Sequence, residues 1–242
     1  MVTLFIVGGG RGVGRGLVQA CLDRYPSVRL YVATRQPMTF SETCSPYQTI
    51  VPIVWDPEDP ASYGAMVDTI RQDQQPLNQA IITVGALHSS NFSPEKTIRR
   101  LTAAQMAWSF QVNTIYPSLL IAAIAPIMTS VEPSCLAVLS ARVGSITDNQ
   151  LGGWYSYRAA KAALNMVIKT AAIEYSRTVP SLTLLGIHPG TVDTDLSKPF
   201  QKNSHHTLFT PVESANHILD VMRDRLGESG GVFDWKGERV PA

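Results

Sequence analysis

A tyrosine and a lysine one helical turn apart could carry out acid–base chemistry. Tyr157 and Lys161 stand four apart in the segment GGWYSYRAAKAALNM, residues 152–166. The segment is rich in alanine and predicts an α-helix, on which residues i and i+4 share one face. An ammonium beside a phenol favours the phenolate, so Lys161 would lower the pKa of Tyr157. The pair therefore predicts a general acid or base for a carbonyl–alcohol interconversion, and the alternative is an ordinary stretch of helix surface.

A glycine-rich loop near the start of the chain is the second candidate site. Residues 7–17 read VGGGRGVGRGL, in which Gly8, Gly12 and Gly14 have the spacing Gly-x-x-x-Gly-x-Gly between a predicted strand and a predicted helix. Glycines permit turns with positive φ and bring the backbone close to a pyrophosphate at a helix N-terminus. The loop predicts a dinucleotide site, although the literal G-x-G-x-x-G pattern is absent and a merely tight turn is the alternative.

The residues after the second predicted strand discriminate between the two nicotinamide cofactors. NAD-binding sites use a carboxylate there, whereas this chain has no acid between Asp23 and Glu42. Arg35, in the sequence ATRQ, and Arg11 are placed to pair with a 2′-phosphate, which guanidinium binds in a bidentate manner. We predict NADP(H), the alternative being that either arginine is a solvated surface residue. Asp56, after the third strand, could accept from the adenine amino group or cap the next helix.

Composition sets the class of protein. The chain has 242 residues, of which 45% are hydrophobic and 16% charged, with a net charge of +1. This length suits a single α/β domain over residues 1–242, and the balanced charge gives no sign of a nucleic-acid or membrane partner. The start of the chain lacks the pattern of a signal peptide, and Cys21, Cys44 and Cys135 are far apart, so we expect a reduced, cytoplasmic location.

Short β-branched runs alternate with amphipathic helical segments from end to end. The predicted strands are Thr3–Val7, Arg29–Thr34, Thr49–Trp55, Gln79–Val84, Cys135–Ser140, Leu182–His188 and Gly231–Trp235, and the predicted helices are 13–24, 60–73, 101–130, 155–178 and 211–226. This order predicts an α/β fold, a doubly wound, Rossmann-like parallel sheet of about seven strands with helices on both faces. The apolar stretch Leu119–Met128 is short for a membrane span and predicts a buried helix. Residues 86–100 and 191–210 are long for connections and are the candidate substrate loops.

These motifs in this order resemble the short-chain dehydrogenase/reductase family over essentially the whole chain. GGGRGVG matches its glycine loop, YRAAK its Tyr-x-x-x-Lys, QVNTIYP its helix asparagine at Asn113, and HPGTVDTDL its Pro-Gly-x-Val-x-Thr segment. Within the family, the chain is similar to the sniffer and C-factor-like carbonyl reductase branch through GSI, GGWYSYRAAKAALNM and GVFDWKGERVP. The resemblance implies an NADP(H)-dependent reductase of a small-molecule carbonyl compound, assembled as a homodimer or homotetramer on the helices 101–130 and 155–178.

The resemblance also implies a role for each site residue. Tyr157 would donate or accept the proton, Lys161 would lower its pKa and bond the nicotinamide ribose, and Asn113 would hold a water in a proton relay or kink a core helix. The cofactor-binding set would be Gly8, Gly10, Arg11, Gly12, Val13, Gly14, Thr34, Arg35, Asp56, Pro57, Thr83, Val84, Gly85, Tyr157, Lys161, Pro189, Gly190, Val192 and Thr194.

Two segments depart from the family pattern. Thr83 and Val84, in ITVG, replace an asparagine and an alanine, which we expect to alter strand support more than chemistry. The family's catalytic serine stands three residues before a glycine, and in LSARVGSI that place is Ala141. Ser140 or Ser145 could supply the hydroxyl, or no hydroxyl does. The rival hypothesis is therefore a dinucleotide-binding regulatory or signalling protein with little catalysis.

Two further groups of side chains have no assigned chemistry. The histidines lack metal-ligand spacing with acids, and no metal site is predicted from His88, His188, His205, His206 and His217. Four aromatic residues line a substrate cleft or pack in the core or an interface: Trp154, Tyr155, Phe200 and Phe209.

Overall fold

The computed structural model describes residues 1–40, 45–203 and 207–242, so Cys44, His205 and His206 lie outside the described residues. The main sheet contains β1 (Val2–Val7), β2 (Val28–Thr34), β3 (Gln48–Val54), β4 (Gln79–Ile82), β5 (Ser134–Leu139), β6 (Leu182–His188) and β9 (Val232–Asp234), and a second, small sheet pairs β7 (Thr191–Val192) with β8 (Leu208–Phe209). The helices are α1 (Gly12–Arg24), α2 (Pro60–Gln72), α3 (Ala103–Phe110), α4 (Tyr116–Ile124), α5 (Tyr155–Thr178) and α6 (Pro211–Asp224).

The strands of the main sheet are parallel and have the order β3-β2-β1-β4-β5-β6-β9. The chain moves from β1 to one edge through β2 and β3, and then returns to the other side of β1 with β4. This reversal leaves a crevice at the carboxyl ends of β1 and β4, which is where such sheets bind ligands. The predicted doubly wound, Rossmann-like fold is confirmed.

Apolar residues on the two faces of the sheet form two buried layers. One layer joins the sheet to α2, α4 and α5 through residues such as Met66, Leu120 and Leu164. The other joins it to α1 and α6 through residues such as Leu17 and Ile218. Because successive side chains of a strand point to opposite faces, the nearly continuous apolar strands supply both layers.

The predicted helix 101–130 is interrupted. A π-helical turn, Gln111–Ile115, separates α3 from α4, and a 3-10 turn, Ala125–Ile127, ends the segment. Helices with a single π-turn often carry a functional residue there. The combined stretch Ala103–Ile127 is long and apolar enough to cross a membrane by length and composition alone. Leu120 and Ile124 are buried against the sheet, whereas Leu119 is 47% exposed, so the predicted burial of Leu119–Met128 holds for one face of the helix.

The two candidate substrate loops contain more regular structure than the sequence predicts. The 3-10 turn Ile98–Arg100 lies in the first, and the second contains β7, β8 and the 3-10 helix Lys198–Asn203. Pairing of Thr191 with Leu208 and of Val192 with Phe209 closes the second loop at its base. Two-residue strands of this kind have no distinctive sequence pattern, which is why the sequence predicts irregular chain there.

Candidate active site

The glycine loop has a backbone that side chains would obstruct. Gly8 and Gly12 have φ of +93° and +52°, in the left-handed region that glycine adopts without strain. A Cβ atom on Gly14 would lie 2.1 Å from the Gly8 carbonyl oxygen. This close approach places the N-terminus of α1, which includes Val13, directly against the turn that follows β1. The helix has no acidic residue in its first turn and no side-chain cap, so its positive end is available to an anion.

Thr83 supports the glycine loop from the end of β4. Its hydroxyl donates to the Val7 carbonyl at 2.9 Å and lies 3.2 Å from the Gly8 carbonyl. Thr83 therefore ties β4 to the turn after β1, as expected for strand support. Val84 packs against the buried layer beneath α4.

Arg11 and Arg35 lie at the surface near the end of β2. A Cβ on Gly10 would lie 3.3 Å from the Thr34 methyl group, so the loop and the end of β2 are in close contact. The Thr34 hydroxyl donates to the Gln36 carbonyl at 2.6 Å and shapes the turn that presents Arg35. Neither guanidinium group forms an ion pair or hydrogen bond with the described part of the chain. Both guanidinium groups are therefore available to a phosphate.

Asp56 is not the cap of the following helix. Asp59 caps α2 by accepting from the Ala61 amide at 2.9 Å, whereas Asp56 accepts from the Glu58 amide at 2.9 Å. The capping alternative is therefore wrong, because the cap lies three residues later. The neighbouring Pro57 carbonyl accepts from the Tyr63 hydroxyl at 3.1 Å, which fixes this turn against α2.

The segment after β6 closes on the glycine loop. A Cβ on Gly12 would lie 3.2 Å from the Thr194 methyl group, so these two predicted cofactor segments meet. Gly190 has φ of +80°, and a Cβ there would collide with the Phe209 ring at 2.7 Å. The Pro189 carbonyl accepts from the Ser214 hydroxyl at 2.9 Å, and Val192 is buried in β7. Together with the left-handed turns and open helix end of the loop, this cradle fits a bound dinucleotide.

Tyr157 and Lys161 share one face of α5, as the sequence predicts. The Lys161 Nζ lies 5.9 Å from the centre of the Tyr157 ring and donates to the Leu139 carbonyl at 2.9 Å. Lys161 is only 3% exposed, whereas Tyr157 remains partly exposed. The Tyr157 hydroxyl has no hydrogen-bond partner among the described residues. It is therefore available to a ligand.

The ionisation of the pair differs from the sequence-based expectation. Burial raises the pKa of Tyr157 above its ordinary value and lowers the pKa of Lys161 from 10.5 to about 8. The expected lowering of the Tyr157 pKa is thus wrong. The reason is that burial disfavours the charged form of each group.

Asn113 lies in the π-helical turn and is fully buried. Its side chain accepts from the Ala86 amide at 3.0 Å and donates to the Ala86 carbonyl at 2.8 Å. A Cβ on Gly85 would lie 3.2 Å from the Asn113 Oδ1 and 3.3 Å from the Lys161 Nζ. The structure thus brings Gly85, Asn113 and Lys161 together, with the Asn113 side chain holding the chain that follows β4.

Neither candidate serine directs its hydroxyl at a free site. The Ser140 hydroxyl donates to Asn165 Oδ1 at 2.5 Å. The Ser145 hydroxyl accepts from the Asp148 amide at 3.1 Å and lies 3.3 Å from the Ala242 carbonyl. Ala141, at the place of the family's serine, is buried just before the 3-10 turn Arg142–Gly144.

Sequence reasoning missed two features beside Tyr157. Trp154 adopts a left-handed backbone, with φ of +51°, immediately before α5. Glu95, from the first candidate substrate loop, is 2% exposed and accepts from the Ser156 amide at 3.2 Å. The pair GG before Trp154 hints at left-handed backbone, but no local pattern reveals a contact between residues so distant in sequence.

Aromatic rings from three segments meet next to Tyr157. The Trp154 ring is 6.3 Å from the Tyr157 ring and 5.3 Å from the Phe200 ring, and His88 lies 6.0 Å from Phe200. The His88 Nε2 is 3.1 Å from the Asp195 carbonyl oxygen, so the two candidate substrate loops touch here. Phe209 instead packs against Trp235 beside the cofactor segment.

Comparisons with known proteins agree with this geometry. The sequence model of the family described as short chain dehydrogenase matches residues 2–205. The 1-hydroxy-2-glutathionyl-2-methyl-3-butene dehydrogenase of Rhodococcus sp. (strain AD45) is 37% identical over 123 residues, which are 51% of this chain and 52% of that protein. The match therefore spans about half the length of that relative.

Two solved structures have the same fold. The carbonyl reductase Sniffer of D. melanogaster matches with a TM-score of 0.81 and 22% identity over 100% of both chains. A putative short-chain dehydrogenase/reductase from Burkholderia multivorans with bound NADP matches with a TM-score of 0.78 and 21% identity, over 100% of this chain and 99% of that one.

Proposed function

The chain belongs to the short-chain dehydrogenase family, and we propose that it is an NADP(H)-dependent oxidoreductase that interconverts a carbonyl compound and an alcohol. The observation that carries the proposal is the free Tyr157 hydroxyl with a buried Lys161 on the same helix face, 5.9 Å from the ring centre. The pair lies beside Gly85, at the crevice between β1 and β4. Such crevices bind dinucleotides in folds of this kind.

The proposed chemistry divides the reaction between a cofactor and the protein. A nicotinamide cofactor, when bound, would supply the hydride to the carbonyl carbon. Tyr157 donates its hydroxyl proton to the carbonyl oxygen, which yields the alcohol and a phenolate. Lys161 stabilises that phenolate while it remains charged, and a proton from solvent restores the phenol.

The ionisation of the pair favours reduction. A general acid must hold its proton before the reaction, and burial raises the pKa of Tyr157. Oxidation of an alcohol would need the phenolate at the start, which burial of the phenol disfavours. We therefore propose that the protein acts as a reductase in an NADPH-rich, cytoplasmic setting.

Two arginines support the choice of NADP(H). Arg11 and Arg35 are unpaired at the end of β2, and no described carboxylate stands in the stretch where an NAD site would place one. Guanidinium groups bind the extra 2′-phosphate of NADP(H) in a bidentate manner. The NADP-bound structure of a protein with the same fold is consistent with this choice.

The substrate site is proposed to lie between the two candidate substrate loops, 86–100 and 191–210. Trp154, Phe200 and His88 are partly exposed and surround the approach to Tyr157. Aromatic walls interact well with flat apolar groups and with few polar ones. We therefore propose carbonyl compounds with an aromatic body as substrates.

The proposed assembly is a homodimer or homotetramer that uses α4 and α5. Leu119 of α4 and Met166 of α5 are 47% and 67% exposed, and Ile115 and Ile173 add to these apolar faces. Exposed apolar groups on neighbouring helices are typical of protein–protein contacts. A light-scattering mass equal to that of one chain would contradict this assembly.

A regulatory, weakly catalytic protein is the second candidate, favoured by Ala141. Both nearby serine hydroxyls already have protein partners. The discriminating experiment is NADPH oxidation with a panel of aldehydes, ketones and quinones. Turnover that Tyr157→Phe abolishes without loss of NADPH binding supports the oxidoreductase, whereas tight NADPH binding without turnover supports the regulatory protein.

A further inference from the structure

A buried carboxylate holds the start of the helix that carries Tyr157. Glu95 is 2% exposed, and within the described residues it has no ion-pair partner. Its carboxylate accepts from the Ser156 amide at 3.2 Å and from the Ser156 hydroxyl. Its own carbonyl accepts from the Trp154 amide at 2.6 Å. Glu95 therefore bonds to residues on both sides of the start of α5.

These hydrogen bonds cap the N-terminus of α5, which has no side-chain cap from its own N-cap residue. Trp154 stands at the N-cap position of α5, but its side chain makes no capping hydrogen bond. Amides in the first turn of a helix have no intrahelical acceptor, carry partial positive charge and favour an anionic acceptor. Glu95 supplies that acceptor from 61 residues away along the chain, which compensates part of the cost of burying its charge.

The backbone before α5 is strained and is held from two directions. Positive φ occurs at three successive residues, Gly152, Gly153 and Trp154. This conformation is unfavourable for a bulky residue, so the strain lies at Trp154. The Arg158 guanidinium donates to the Gly153 carbonyl at 3.0 Å and to the Gly152 carbonyl at 3.2 Å. Strained backbone of this kind persists only where its surroundings enforce it, and it concentrates at functional sites.

We propose that Glu95 is a positioning residue for the reaction, because it fixes Tyr157 relative to the candidate substrate loop. Tyr157 directly follows Ser156, so a shift of the first turn of α5 moves the phenol. Glu95 belongs to the same loop as His88, which contacts Phe200 over the site. Glu95 therefore fixes the position of Tyr157, the proposed proton donor, relative to the first candidate substrate loop. The kinetic part of this inference rests on the proposed function.

The kinetic test compares Glu95→Ala, Glu95→Gln and Ser156→Ala with Glu174→Gln, an exposed carboxylate on the same helix. Small displacements of a reacting group cost large factors in rate, so we expect Glu95→Ala to lower kcat for benzaldehyde reduction by about tenfold to hundredfold. The dissociation constant of NADPH should stay within about twofold, because Glu95 does not touch the glycine loop. Glu95→Gln should recover part of the loss, since its amide oxygen still accepts from Ser156. Glu174→Gln should match the parent protein.

Three kinetic outcomes would overturn the proposal. They are unchanged kcat in Glu95→Ala, no recovery in Glu95→Gln, and a parallel loss of kcat and NADPH affinity. If Glu95→Ala does not fold, Glu95→Gln and Ser156→Ala carry the test, and unchanged kcat in both overturns it. Ser156→Ala removes only the side-chain hydrogen bond to Glu95 and should lower kcat less than Glu95→Ala.

A second readout uses the protein without substrate or cofactor. Hydrogen exchange at the Ser156 amide should accelerate in Glu95→Ala, and the pKa of Tyr157 should fall as water reaches the loosened turn. The Tyr157 signal is identified as the absorbance change that Tyr157→Phe lacks. If the parent protein reduces no carbonyl compound, the proposed function fails, while these two measurements still decide the role of Glu95: unchanged exchange and titration would overturn it.

Discussion

The Lys161 ammonium lies 5.9 Å from the centre of the Tyr157 ring while its hydrogen bond goes to the Leu139 carbonyl. The lysine is therefore close enough to stabilise a phenolate, but it is held by the backbone at the end of β5 and not by the tyrosine. Burial around the pair raises the pKa of the phenol and lowers the pKa of the ammonium to about 8. Burial therefore keeps the proton on Tyr157 until the reaction removes it.

We expect the reduction rate to fall with increasing pH above about 8. Because burial lowers the Lys161 pKa, the ammonium is present below that pH and is lost as the pH rises through it. Without the cation, the phenolate left by proton donation is unstable, so kcat should fall by about tenfold per pH unit. The measurement is kcat for NADPH-dependent benzaldehyde reduction from pH 6 to 10.

Lys161→Arg is the control for this pH dependence. Arginine keeps its charge throughout this range, so any activity that the variant retains should vary little with pH. A parent enzyme whose rate is flat or rises between pH 8 and 10 would contradict the assigned role of Lys161.

The cofactor preference depends on Arg35 and Arg11. We expect NADPH to bind about tenfold or more tightly than NADH, because a hydrogen bond to a charged group contributes about 1.5–3 kcal/mol. Arg35→Gln and Arg11→Gln should each weaken NADPH binding and leave NADH binding nearly unchanged. Arg71→Gln, an exposed arginine on α2, serves as the control, and binding is measured by titration. Equal affinities of the parent protein for the two cofactors would refute the preference.

An aromatic substrate should be favoured by Trp154. The comparison uses benzaldehyde and cyclohexanecarbaldehyde, which have the same carbon skeleton but differ in ring planarity. Trp154→Leu should lower the ratio of their kcat/KM values by about fivefold, the magnitude expected for one aromatic contact. Comparing the ratio between variant and parent cancels the intrinsic reactivity of the two aldehydes.

The exposed Tyr47, just before β3, provides the control for Trp154. It is 73% exposed, so Tyr47→Leu should leave the substrate ratio as it is in the parent protein. A ratio that Trp154→Leu also leaves unaltered would remove Trp154 from the substrate site while the oxidoreductase activity itself stands.

Local patterns in the sequence predict much of this site, and contacts between distant segments explain what they miss. The alanine-rich run gives the observed bounds of α5, Tyr155–Thr178, and so places Tyr157 and Lys161 on one face. The direction of the Tyr157 pKa could not be predicted, because it depends on burial by several segments. The periodicity of the sequence cannot identify Glu95 as part of the site either, because its partner Ser156 is distant in sequence. From the sequence alone we consider only Asp56 as the cap of the next helix, and the structure assigns that position to Asp59.

Restoring the family's hydroxyl at Ala141 should accelerate the reaction. Ala141 is buried two residues after Leu139, the last residue of β5, whose carbonyl accepts the hydrogen bond from Lys161. A donor aimed at a developing oxyanion is worth about 10²–10³ in rate when it is preorganised. We expect Ala141→Ser to raise kcat by about tenfold or more, since a newly introduced hydroxyl recovers only part of that effect. The measurement is kcat for benzaldehyde with saturating NADPH.

The controls for Ala141→Ser are the two serines already present. The Ser140 hydroxyl donates to Asn165, and the Ser145 hydroxyl accepts from the Asp148 amide. Because these bonds occupy the hydroxyls, Ser140→Ala and Ser145→Ala should change kcat by less than about threefold, apart from any loss of folded protein. A hundredfold loss in either variant would identify that serine as the group that polarises the carbonyl, and Ala141→Ser would then give no gain.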